Sequence, residues 1–176
     1  MSKKECTFRN VGVVVIAVTL LLILGTGVST IIFNSVYAQN TTTLGEPFFT
    51  ERGKITSQKE IGPNRTQFTF SANGTLNGNI EVTNTGDIIT ISKGNNIHFD
   101  QGQGIISTRG GNETANYTLI AVENIPPEGN LSFIGAAAYS TNSTGELSFL
   151  NNVLGIFKGE GDSQSGNFVS NEWEWK

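Results

Sequence analysis

The chain has 176 residues, a formal charge of −4, only 15% charged residues and a single cysteine. That length suits one domain with a real core, and lone Cys6 excludes an intrachain disulfide. The acidic balance excludes nucleic-acid binding through a basic surface, because that affinity rests on neutralising phosphates with Lys and Arg.

The first 38 residues differ from the rest. Lys3, Lys4 and Arg9 precede an uncharged run from Val11 to Phe33, and Val36-Tyr37-Ala38 stands just before Gln39. A cationic start, an apolar middle and a small-x-Ala end are the parts of an export signal. The cationic start stays in the cytoplasm while the apolar run enters the bilayer. Cleavage between Ala38 and Gln39 is expected. The run is also long enough to span a membrane, which takes ~20 residues, so an uncleaved anchor is the alternative. Both place the domain outside the cytoplasm, released or held on the outer face of the cytoplasmic membrane. A third reading keeps the run as a pilin-like assembly helix. Cys6 precedes the run, so it is not a lipoprotein cysteine.

Residues 39–47 read as a polar tether, and 48–176 as one domain. No window there has a helical apolar period. Short alternating runs between Gly and Asn clusters give an all-β pattern. Strands are expected near Lys54–Glu60, Gln67–Ala72, Asn79–Thr83, Asp87–Lys93, His98–Thr108, Ala115–Val122, Leu131–Ser140, Glu146–Leu150, Leu154–Lys158 and Phe168–Trp175. The separators, among them Asn73-Gly74, Thr85-Gly86 and Gly94-Asn95-Asn96, are read as turns because Gly and Asn tolerate positive φ.

Asn-x-Ser/Thr sequons begin at Asn40, Asn64, Asn73, Asn112, Asn116, Asn130 and Asn142. None has Pro in the middle, so all are formal glycan acceptors in an exported chain. They also set parity. If Asn116 and Thr118 face out, Tyr117, Leu119 and Ala121 face in. If Asn73 and Ser71 face out, Phe68 and Phe70 face in. By the same alternation, Glu172 and Glu174 are placed outside and Trp173 and Trp175 inside. The expected fold is a single antiparallel β-barrel of about eight strands, since closure removes exposed edges.

The C-terminal half carries a further pattern. Gly102-x-Gly104 runs into a turn at Gly110. It is followed by Ser143-Thr-Gly-Glu-Leu-Ser-Phe-Leu-Asn-Asn152 and by a hairpin containing Gly159-Glu-Gly161 and Gly166-Asn167. Over roughly Phe68–Trp175 this resembles the allene-oxide-cyclase-like barrels, a group that includes plant dirigent proteins and uncharacterised secreted archaeal members. The resemblance implies an eight-stranded barrel that holds an apolar or phenolic molecule, and it implies trimers. No family site residue aligns, so no catalytic residue is carried over.

Few residues argue for chemistry. His98 and Asp100 share a strand face and could exchange a proton, but they read as a polar outer face. Glu172 and Glu174, backed by Trp, read as a solvated face rather than an acid–base pair. Glu160, Asp162, Asn151 and Asn152 lack the loop spacing of a Ca²⁺ site. Gly102-x-Gly104 lacks the rest of a dinucleotide fingerprint, and Ser143 and Ser148 lack a nucleophile elbow. No metal and no cofactor are expected. Residues expected to line the barrel are Phe68, Phe70, Tyr117, Leu119, Phe133, Tyr139, Phe149, Trp173 and Trp175, around room for one small apolar ligand. The expectation is a secreted or tethered non-catalytic barrel. A cyclase or isomerase working in the barrel interior is the alternative, to be favoured if an inward carboxylate or a Tyr such as Tyr117 or Tyr139 lines an open pocket and disfavoured if Phe and Leu fill the interior.

Overall fold

The computed structural model describes residues 44–176. The export signal, its cut at Ala38 and Gln39, and sequon Asn40 lie outside the described residues. Eight strands follow in order: β1 (Phe49–Gly62), β2 (Arg65–Leu76), β3 (Ile80–Gly94), β4 (Ile97–Thr108), β5 (Thr114–Asn124), β6 (Asn130–Ser140), β7 (Leu154–Asp162) and β8 (Asn167–Glu174). Each pairs antiparallel with its neighbour in sequence, and β1 pairs with β8 to close the barrel. Every connection joins strands adjacent in sequence, and most are short turns. At the end of β2, Asn77 and Gly78 have φ of 49° and 76°, and Asn79 N donates to Leu76 O at 3.1 Å. Two positive φ values in such a turn match the right-handed twist of the strands it joins.

The expected runs Asn79–Thr83 and Asp87–Lys93 are one strand, β3. Thr85-Gly86 is not a turn, and neither is Asn73-Gly74 inside β2. Glycine does another job at Gly86. Its missing side chain leaves room for the Phe70 ring, whose atoms would lie 2.9 Å from a Cβ there. A glycine inside a strand marks such close approach as readily as a turn.

Glu146–Leu150 is not a strand either. The chain between β6 and β7 makes one 3-10 turn, Ser148–Leu150. Side chains three apart share a face of that helix. Leu147 and Leu150 are both fully buried, packed in one core cluster with Leu76 and Ile106. They plug one end of the barrel. Phe149 points the other way and is 36% exposed.

Candidate functional site: an acidic, aromatic barrel interior

The plugged end leaves a cavity of about 520 Å³ running to the other end. That volume lies within the range of small-molecule sites. Its wall comes from inward parity on all eight strands. Phe68, Phe70, Tyr117, Leu119, Phe133 and Tyr139 line it as expected. Glu51, Asn84, Asp100, Glu123 and Glu172 line it too.

Two hydrogen-bonded groups form the floor above the plug. Tyr139 donates its hydroxyl to Glu172 Oε2 at 2.6 Å. Tyr117 donates to Asn84 Oδ1 at 2.9 Å, and Asn84 Nδ2 donates to Glu51 Oε2 at 2.8 Å. The two tyrosine rings are 5.4 Å apart. Glu51 pairs with Ser170 across β1 and β8, and Glu172 pairs with Phe49. The two carboxylates are thus diagonal neighbours on one face. Glycines make the room. A Cβ at Gly104 of β4 would run into the Tyr117 ring and hydroxyl, and one at Gly155 of β7 would strike the Glu172 carboxylate.

Little water reaches these groups, so burial disfavours charge on them. Burial, reinforced by Glu51, pushes Glu172 up to about 8 against the pull of its Tyr139 hydrogen bond. Burial lifts Glu51 to about 7, with the Asn84 hydrogen bond opposing. Tyr117 and Tyr139 are also pushed up, first by burial. Toward the open end, burial and then Asp100 raise Glu123 to about 7. Burial raises Asp100 as well, partly offset by a Thr90 hydrogen bond and by His98. Glu172 and Asp100 are 4% and 6% exposed. Each keeps one carboxylate oxygen, Oε1 and Oδ1, without a hydrogen-bond partner.

Several expectations fail here. Glu172 is inside, not on a solvated face, because β8 turns Phe168, Ser170 and Glu172 inward. Trp173 is therefore on the outer face. It stays buried because its Nε1 donates to Gly45 O at 2.8 Å, beneath the segment that precedes β1, and the Lys158 ammonium sits 5.4 Å from its ring. Trp175 is 64% exposed, and neither Trp nor Phe149 lines the cavity. Asp100 is likewise interior, not part of a polar outer face. Asp162 caps a turn, accepting from the backbone N–H groups of Gln164 and Ser165 at 2.7 and 3.0 Å. Among the described residues, no three His, Cys, Asp or Glu side chains converge as a metal site requires. Sequon residues Asn64, Asn73, Asn112, Asn116, Asn130 and Asn142 are all exposed.

Glu51 and Glu123 were missed, although the signal was present. Glu51 alternates with Phe49, Gly53 and Ile55, and Glu123 continues the inward set Tyr117, Leu119, Ala121.

No family model matches the chain, and no curated protein matches it. Solved structures do. A conserved protein of unknown function from Rhodopseudomonas palustris is 15% identical with a TM-score of 0.60, over 73% of this chain and 95% of that one. A beta-barrel like protein from Acinetobacter baumannii AYE is 10% identical with a TM-score of 0.60, over 74% of this chain and 94% of that one. At such identities the likeness establishes a shared small-barrel fold and nothing about activity.

Proposed function

We propose that this chain is an exported barrel domain, released or membrane-tethered, whose interior holds one small molecule with a mainly apolar body. The observation that carries this reading is the cavity of about 520 Å³, walled by phenylalanines and floored by a few oriented polar groups. An apolar body would gain ~25 cal/mol for each Å² removed from water there. The test is fluorescence of N-phenylnaphthylamine, a neutral apolar dye. Saturable enhancement with the wild type, lost in Leu119→Trp, supports the reading. Enhancement that survives both Leu119→Trp and Ala121→Phe sinks it, because the dye is then outside. Export is tested by intact mass from the native host: a start at Gln39 means release, a start at Met1 an anchor, and a start near Val11 an assembly subunit.

Inward Tyr139 and Glu172 favour a second reading, a cyclase or isomerase of the allene-oxide-cyclase-like type. A carboxyl group near 8 can hold or give a proton at neutral pH. That reading requires the molecule extracted from the wild-type protein to differ in structure from the one extracted from Glu172→Gln.

A second copy of the chain is proposed as a partner. Ile120, Val122 and Ile134 lie together on the outer face of β5 and β6, at 57%, 47% and 59% exposure, with Val122 directly opposite Ile134. Adjacent exposed apolar side chains mark surfaces that associate.

A further inference from the structure

We propose that the ligand of this interior is a small organic ammonium ion, its charged head on the floor between Glu51 and Glu172 and its apolar body toward the mouth. The inference rests on the reading of the interior as a ligand site and names the class of ligand.

Three independent features carry it. The first is sign. Every ionisable side chain lining the cavity other than tyrosine is a carboxyl group: Glu51, Asp100, Glu123, Asp162 and Glu172. Among the described residues, no Lys, Arg or His lines it. An anionic ligand would find no cationic partner there, and its charge would oppose ionisation of each of these groups.

The second feature is an unmet hydrogen bond. Glu172 is almost wholly buried, accepts from Tyr139 through one oxygen and leaves Oε1 unpartnered. A buried oxygen without a hydrogen-bond partner carries a desolvation cost that nothing offsets. An ammonium group brings three donors and the opposite charge. A purely apolar ligand would leave the oxygen as it is.

The third feature is the wall. Tyr117, Tyr139, Phe49 and Phe70 line the cavity together with Glu51 and Glu172, and aromatic faces attract a desolvated cation. The charge of Glu51 disfavours ionisation of Glu172. A cation between them removes that conflict and lets both ionise. At the mouth, Asp100 and Glu123 would draw cations in before they reach the floor.

The experiment uses three probes of one shape: phenethylamine, phenethyl alcohol and hydrocinnamate. They are cationic, neutral and anionic near neutral pH. Dissociation constants are read by calorimetry, and occupancy by amide shifts of Tyr117, Tyr139 and Glu172. The amine is expected to bind more tightly than the alcohol by about tenfold or more, and hydrocinnamate not to saturate. Glu172→Gln and, separately, Glu51→Gln should abolish the preference for the amine while binding of the alcohol persists. The wild-type comparison stands even if one variant fails to fold. Equal binding of amine and alcohol overturns the ammonium assignment and leaves the cavity reading intact. Tighter binding of hydrocinnamate overturns it as well. If all three probes and N-phenylnaphthylamine fail to bind, both readings fall.

Discussion

The Tyr139 hydroxyl donates to Glu172 Oε2 at 2.6 Å from a strand that does not neighbour Glu172's own. The bond crosses the floor of the barrel from β6 to β8, past β7. Two inward side chains reach each other because the intervening Gly155 has none. Tyr139→Phe removes the hydrogen-bond donor that the described residues offer to a buried carboxyl group. It should cost about 1–3 kcal/mol of unfolding free energy. In a Glu172→Gln background the same substitution should cost less, since a neutral amide loses less when its partner goes. Urea unfolding of the four proteins measures the coupling. Equal costs would show that the bond contributes nothing of its own.

Stability should depend on pH in an unusual direction. Glu51, Glu123 and Glu172 have folded values near 7, 7 and 8, above the ordinary 4.5. A raised carboxyl group binds its proton more tightly when folded. Its contribution is complete below pH 4.5 and is lost as pH rises through 7 to 8. The Tm should therefore be higher in mild acid than in mild base, by on the order of a few degrees. Glu172→Gln should flatten the upper part of that slope. A Tm that rises with pH across this window would contradict the buried-acid description.

Gly104 and Gly155 are predicted to resist substitution. Gly104→Ala places a methyl inside the Tyr117 ring, and overpacking of this kind costs about 1–3 kcal/mol. Gly155→Ala must displace the Glu172 carboxylate, so it should also weaken amine binding. Gly62, with open space around its Cα and no positive φ, should accept Ala with little change. Denaturation midpoints of the three variants test the ranking.

Trp173 ties the segment before β1 to the barrel through Gly45 O at 2.8 Å. Trp173→Phe keeps an aromatic ring and loses the donor. Limited proteolysis should then cut near residues 44–47 faster than in the wild type, while the far-UV spectrum stays unchanged. Unaltered cleavage would mean that packing alone holds the segment.

The outer face of β5 and β6 predicts self-association. Light scattering should find more than one copy per particle, and Ile134→Lys should shift it to monomer. A monomeric wild type at tens of micromolar would remove the proposed partner.

The all-β class, the barrel and the inward set from Phe68 to Tyr139 follow from period-two alternation, which is a local property of the chain. Alternation also placed Tyr117 against the interior. It failed where residue type was taken as the guide to side. Trp173 was put inside for its hydrophobicity and Glu172 outside for its charge, yet β8 does the reverse. The register of β8 against β1 and β7 decides which face looks inward, and the segment at Gly45 shelters the Trp that is left outside. Gly86 was misread as a turn because its neighbour Phe70 lies on another strand. The acidic floor was hidden for the same reason. Glu51 and Glu172 lie 121 positions apart in the chain, and only closure between β1 and β8 makes them neighbours. Local alternation set by the sequence determined that these residues would form strands. Strand pairing over long separations decided which carboxylates share an interior, because burial and mutual repulsion exist only once the barrel is shut.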